Sequence, residues 1–463
     1  MGTLHHSPQQ NNSKKHQASN PESEETEEIE SSNVTKKPLP LKYILGLITI
    51  FILSSIIIGT IFLLSKKSTA PINSVEHQLT EVEGTPTWFY DNLTGQPISH
   101  SGTQYDTAGN PILDNNNQPQ KFSIKQAEQV ANEINSQPTF CIQIPNGMDG
   151  ARPQTGLNQA SIVFEAIAEA GITRFAAIFK NPINQAAIGP IRSLRVYHLD
   201  WVTPFDCTII HAGGADDALS AVSTGYKHLS ESYTYMWRST GIWTRSGFVG
   251  YYAPNNLLTS GPLLTDFHRH KENDQRSYPK SFSRLTPEES LIQKQSVKKS
   301  TEQTEQNQPA DLTYKKVSNI HVYFNWQTGF NVDYLYNPNT NTYMRSFQNG
   351  EKHLSYTCEN TKNKPTPALD CGVPTQVNPD VVIIMRVKQH TSPLDYYHED
   401  ITTIGSGSAY IFQNGTVLEG TWHKLSRESQ FVFKNQQGEE IKLKPGRTWL
   451  SAIPESYGKI TYD

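Results

Sequence analysis

The longest apolar run in the chain is residues 43–65 (YILGLITIFILSSIIIGTIFLLS), 23 residues without a charge. A bilayer core needs about 20 apolar residues in a helix, and a helix buried in a globular core is rarely apolar all round for that long. With its flank, 42–65 is expected to span a membrane. Polar residues 1–41 precede it, so it reads as an uncleaved signal-anchor rather than a cleaved signal peptide. Lys36, Lys37 and Lys42 lie before the run, and Lys66 and Lys67 lie after it. That slight asymmetry, with a short tail and a long C-terminal part, predicts a single-pass protein of the cell membrane with a cytoplasmic N-terminus. The tail has few apolar residues and is expected to be disordered.

Beyond the anchor the pattern changes several times. Residues 66–137 are loop-rich. Two turn-centred segments begin at Asp91 and Asp106, and 124–136 (IKQAEQVANEINS) reads as one short helix. Residues 138–285 are denser in apolar positions. Residues 286–312 are polar and aperiodic and read as a disordered linker. From 313 to 463 the chain reads as strands, with Asn414-Gly415 between apolar runs as a type I′ hairpin signal. The fold class expected is α+β. A mixed α/β N-terminal ectodomain (138–285) precedes an antiparallel β-rich domain (313–463).

Residues 161–179 (SIVFEAIAEAGITRFAAIF) fit a helix only in their first half. A hairpin turning at Ala170-Gly171 sorts polarity across both halves. One face then holds Ile162, Phe164, Ala166, Ala168, Phe175, Ala177 and Phe179. The other holds Glu165, Glu169 and Arg174, with the arginine diagonal to both acids. Downstream, Pro190 is placed to open a helix that carries Arg192 and Arg195 on one face. Cys207–His211, Gly213-Gly214 and the stretch from Ala215 read as strand, glycine turn and helix. That layout can aim backbone N–H groups at an anion.

Composition narrows the function classes. Four cysteines in 463 residues exclude a disulfide-built miniprotein. Cys358 and Cys371 bracket a proline-containing loop and are plausible partners; Cys141 and Cys207 fit buried thiols or a bridge equally. Outside the tail and anchor flanks stand 33 basic and 38 acidic residues. That balance gives no footprint of a nucleic-acid partner, so any anion binding must be local. No zinc, redox, P-loop, dinucleotide or hydrolase motif is present, so neither a metal nor a cofactor is expected.

Arginine placement is the sharpest chemical signal. Residues 138–257 hold six Arg (152, 174, 192, 195, 238, 245) and two Lys, against 7 Arg and 25 Lys elsewhere. Arginine grips carboxylate or phosphate through a rigid two-pronged fork. Arg152, Glu165, Arg174, Arg192, Arg195, His211, Gly213, Gly214, Arg238 and Arg245 are therefore the candidate ligand-binding residues. Three readings stay open. One is a binding or scaffold module for an envelope partner or small anion. Another is an enzyme on an anionic peptidoglycan- or phosphate-linked substrate, with His211 as acid/base and Glu165 as orienter. In the third, the Arg and Glu residues pair internally and hold the fold. Tyr410, Trp422 and Trp449 fit strand core better than a glycan platform.

These motifs resemble the YerB-like bacterial surface proteins, a family with a two-part domain of unknown function. The first part is matched by Leu93-Thr-Gly-Gln-Pro97, Ala151-Arg-Pro-Gln-Thr-Gly-Leu157, Glu169-Ala-Gly-Ile-Thr-Arg174, Gly189-Pro-Ile-Arg-Ser-Leu-Arg195 and His211-Ala-Gly-Gly214. The second is matched by Tyr343-Met-Arg345, Gly405-Ser-Gly407, Asn414-Gly-Thr-Val-Leu-Glu-Gly-Thr-Trp422 and Pro445-Gly-Arg-Thr-Trp449. The resemblance implies an extracytoplasmic protein with a two-part family domain that starts near residue 93, and it implies no particular reaction. Three departures stand out. No cysteine precedes Cys141, whereas family members are often lipoproteins. Asn255 replaces the histidine of a Pro-His-Asn-Leu stretch. Ala170 stands where glycine is usual.

Overall fold

Strands dominate the computed structural model, which describes residues 85–232, 234–238, 253–270, 276–302, 315–358, 371–393 and 397–463. The expected membrane helix at 43–65, the tail and Arg245 lie outside the described residues. No helix among the described residues is long and apolar enough to cross a membrane.

The centre is an eleven-stranded sheet. We number its strands β1 Thr139–Pro145, β2 Ile162–Glu169, β3 Ile172–Lys180, β4 Thr208–His211, β5 His228–Ser230, β6 Lys315–Lys316, β7 Val381–Val387, β8 Gly405–Gln413, β9 Thr416–Lys424, β10 Val432–Asn435 and β11 Thr448–Pro454. The order is β5-β4-β1-β3-β2-β11-β7-β8-β9-β6, with β10 also on β9. The N-terminal and C-terminal parts do not form a sheet each. Strands from both sequence halves share this one sheet, joined where β11 pairs with β2 in parallel. Residues Gly84–Asp463 accordingly form one compact unit. The C-terminal half is not purely antiparallel either, because β11 also runs parallel to β7. Its central strands read as unbroken apolar runs because both faces are buried.

Each face has its own core. Val163, Ile167, Phe175, Ala177 and Trp449 lie in one, and Ile162, Phe164, Ala166, Ala176 and Ile178 in the other. A smaller sheet of four strands, Asn319–Tyr323, Val332–Asn337, Thr342–Phe347 and Lys459–Tyr462, supplies Val322, Tyr334, Tyr343 and Phe347 to the first core.

The predicted hairpin is present, and Ala170 and Gly171 both take positive φ (46° and 79°) as a type I′ turn requires. Its polarity is not the expected one. A bulge between Ile167 and Glu169 shifts the register, so Glu165 faces Phe175 and Arg174 faces Ala166. A one-residue slip moves every later side chain to the other face. Phe164 and Phe175 therefore end in different cores, and Glu165 and Arg174 project from opposite faces.

The described residues hold five α-helices: α1 Ile124–Asn135, α2 Val196–Val202, α3 Asp216–Ser223, α4 Gly261–His270 and α5 Pro287–Glu302. Helix α1 is the expected short helix and opens on a Ser123/Gln126 capping box. Helix α5 replaces most of the expected linker. Thr286 and Glu289 cap each other's backbone N–H groups at its start. The Pro190 helix is also corrected, since α2 begins only at Val196. Residues before it are committed to other strands: Ile191 N–H donates to Leu257, Arg192 N–H to Gln143 and Leu194 N–H to Gly213. The Asn414-Gly415 turn joins β8 to β9 as expected. Both cysteine pairs are disulfides, Cys141–Cys207 and Cys358–Cys371.

Candidate functional site

Strands β1, β2, β4, β5, β7 and β11 all point the same way, through the chain of pairings that links them. Ligands of open α/β sheets bind outside the carboxyl ends of such strands. Glu169 ends β2 and His211 ends β4 at that edge, and Arg174, Ser193, Arg195 and Gly213-Gly214 meet them there.

Glu169 is the hub. Its two carboxylate oxygens accept from Arg174 Nη2 and Arg195 Nη2, both at 2.5 Å. Burial would raise its carboxyl, but the two guanidinium groups outweigh that and hold it below the usual range. Arg174 Nη1 donates to the Ser193 carbonyl and Arg195 Nη1 to the Leu194 carbonyl. Burial, and then the neighbouring Arg195, bring Arg174 down to about 10. Arg192 lies close enough to add to this field and stays partly exposed, with Nη1 donating to the Pro254 carbonyl at 3.2 Å. Among the described residues, Glu169 is the one carboxylate that any of the three arginines touches. The Nε–H groups of Arg174, Arg192 and Arg195 are buried and have no partner. Beneath them His198 Nδ1 meets Gln143 Oε1 at 2.6 Å, and Gln143 Nε2 is also unpartnered.

His211 is buried beside this cluster. Its Nδ1 donates to the Gly213 carbonyl at 2.9 Å, which leaves Nε2 to face His228 Nδ1 at 3.4 Å. Burial first, and then His228, push the His211 ring below its ordinary pKa, against the pull of the Gly213 carbonyl. Gly213 takes φ +67° with open space where a side chain would project. Helix α3 starts with Asp216 and Asp217, as the sequence placed them.

The other two candidate groups sit elsewhere. Glu165 and Arg152 belong to a buried network on the opposite face. Arg345 Nη2 grips both Glu165 oxygens at 2.8 and 2.9 Å. Trp449 Nε1, Ser451 Oγ and Thr173 Oγ1 complete the shell at 2.8, 3.1 and 3.1 Å. The guanidinium of Arg345 also meets His353 Nδ1, and His353 Nε2 reaches Gln154 Oε1 at 2.9 Å. Arg152 stacks 3.7 Å from the Phe347 ring centre and donates to Asn146 and Gly329. Burial, with Arg345 second, lowers it to about 9. Arg238 is exposed and pairs with Glu231. Among the described residues no group of three or more His, Cys, Asp or Glu could hold a metal ion.

Sequence reasoning missed His228, Arg345, His353 and Gln154 as members of these clusters. Arg345 and Trp449 were visible only as motif residues without an assigned partner.

The fold and the motif order agree with comparisons to known proteins. Residues 126–273 match the N-terminal domain, and 320–450 the C-terminal domain, of the protein family of unknown function DUF3048. The chain belongs to this YerB-like family. It is 26% identical over 315 residues to "Putative lipoprotein YerB" of Bacillus subtilis (strain 168), covering 67% of this chain and 80% of that protein. The crystal structure of YerB from Bacillus subtilis superposes with a TM-score of 0.54 at 20% identity. It covers 81% of this chain and 99% of that one, and it shows a shared fold. The family's two domains are thus the two sequence halves that β2 and β11 join into one sheet.

Proposed function

We propose that this is a membrane-tethered, extracytoplasmic protein of the bacterial cell envelope that binds an anionic ligand at the carboxyl edge of its sheet. The apolar run at 43–65 serves as the tether, in place of the lipid anchor that the name of the Bacillus relative implies. Arg192 and Ser193, both partly exposed, present the ligand-facing surface, with Gly213-Gly214 beside them. The observation that carries this reading is a charge imbalance. Two guanidinium groups share one carboxylate, Arg192 beside them contacts none, and the buried Nε–H of each of the three lacks a partner. Buried charge in that state favours an incoming anion.

A second reading covers other residues. Two carboxylates, Glu165 and Glu169, consume Arg345, Arg174 and Arg195, which supports a structural role for those pairs. Anion recognition then rests on Arg192 and on the residual positive field.

The test is calorimetric titration of phosphate, pyrophosphate and muropeptides into the full chain. We expect saturable binding that Arg192→Ala weakens by about tenfold, the loss of one charge-assisted contact. Equal affinity in both proteins would sink the reading. Surface labelling of intact cells tests the topology separately: residues beyond 84 must be labelled, and the tail must not.

A further inference from the structure

A second surface lies away from the arginine cluster. Two clefts of about 870 and 640 Å³ adjoin at Arg276 and Tyr278, which line both. Each is the size of a small-molecule pocket, room for a few sugar rings. Tyr278 is 70% exposed. A side chain on a backbone that is already held loses less freedom on binding a ligand. Here the backbone is pinned on both sides. Tyr278 N–H donates to Asp206 Oδ2 at 2.9 Å, Ser277 N–H to the Ser136 carbonyl and Lys280 N–H to the Pro204 carbonyl. Ser277 Oγ, itself buried, donates to the Asp206 carbonyl and accepts from Thr139 N–H.

The smaller cleft has a mostly polar wall, the larger one adds the apolar Val202 and Ile209, and the charged groups of the two balance. Helix α1 turns Gln129, Asn132 and Glu133 toward the groove at helical spacing, all exposed. Lys227 is paired with Asp206, and Arg427 with Asp200. Neither charge sign prevails, which disfavours a polyanion. An exposed aromatic ring on a held backbone, with amide donors and acceptors beside it, suits a ligand whose rings carry C–H on their faces and hydroxyl or amide groups on their rims. The negative face of the tyrosine ring attracts those C–H groups, and the amides bind the rim.

We infer that the Tyr278 groove binds a neutral polysaccharide chain, with a sugar ring stacked on Tyr278 and Gln129 and Asn132 hydrogen-bonded to its rim. This site is independent of the anion site. On the extracytoplasmic location proposed above, its ligand would be an envelope glycan.

The experiment is calorimetric titration of a soluble β-1,4-linked N-acetylglucosamine tetramer, and separately of an uncharged peptide of similar mass, into the full chain in detergent. Tyr278→Ala should weaken glycan binding by about tenfold or more, Tyr278→Phe should retain it, and Arg192→Ala should leave it unchanged. Melting temperatures of both Tyr278 variants should match the wild type, because the ring is exposed. No glycan binding, equal binding by Tyr278→Ala, or preference for the peptide would each overturn the assignment. Loss of glycan binding in Arg192→Ala would instead merge the two sites and overturn their independence.

Discussion

Arg345 and Glu165 lie 180 residues apart in sequence, and the guanidinium of one holds both oxygens of the other with neither side chain exposed. One residue comes from each family domain. The pair therefore fastens the two halves beneath the β2–β11 junction, and Trp449, Ser451 and Thr173 satisfy the remaining lone pairs.

Removing either partner should be severe. Arg345→Ala strands a buried carboxylate and Glu165→Ala strands a buried guanidinium, each at a cost of about 3–5 kcal/mol. The double variant Glu165→Ala/Arg345→Ala should cost much less than the two losses added. Urea midpoints of the three proteins measure the coupling; simple additivity would show that the pair is not a unit.

Stability should fall in mild acid. His353 is kept neutral by burial, then by Arg345 and Arg152; His198 by burial, then by Arg174 and Arg195; His211 by burial, then by His228. All three folded pKa values lie below the unfolded value of about 6.5, so the unfolded chain binds more protons below that pH. Their contribution is intact above about pH 6.5 and is lost as pH falls toward the folded values. Each histidine adds at most about 1.4 kcal/mol per pH unit to the slope. Urea unfolding at stepped pH should show this slope, and a flat profile between pH 7 and 5 would contradict it.

Ala170 sits at φ 46°, a left-handed conformation that L residues adopt at a cost. Ala170→Gly should therefore raise stability by about 1 kcal/mol, less the added entropy of the unfolded chain. Thermal melting checks the sign. A drop would mean that the methyl group contributes packing worth more than the strain.

Arg174→Ala and Arg195→Ala should each lower the melting temperature, because Glu169 loses one of its two partners in a mostly buried site. Arg192→Ala, which makes one contact to a carbonyl and no ion pair, should melt close to the wild type. If Arg192→Ala proves the least stable of the three, the division between struts and ligand-facing arginine is wrong.

Local signals were readable in the sequence where a few adjacent residues set the conformation. Asn414-Gly415, Ala170-Gly171 and the α1 stretch are of that kind. The bulge at Ala168 was not readable, because nothing in the local pattern of Ile162–Glu169 marks the extra residue, yet it decides which face Glu165 takes. The α5 helix was legible at its start, where Thr286-Pro287-Glu288-Glu289 combines a capping box with proline at the first turn. Its polar interior lacks an apolar stripe, and that obscured the signal. The joining of the two halves was hidden because the pairing of β2 with β11 spans nearly 300 residues of chain and rests on no local pattern. The arginines were visible as a set, but their separation into two clusters on opposite faces follows only from strand register.

The most direct test is a thermal-shift titration of pyrophosphate with wild type, Arg192→Ala and Arg345→Ala. A ligand at about 100 times its dissociation constant adds about 2.7 kcal/mol of stability. The account predicts that the wild type gains this shift and that Arg345→Ala melts earlier but still gains it. Arg192→Ala should melt normally and, with a tenfold weaker site, gain only about half of it, about 1.4 kcal/mol. A full shift in Arg192→Ala, or none in the wild type with any anion, would contradict anion recognition at the carboxyl edge.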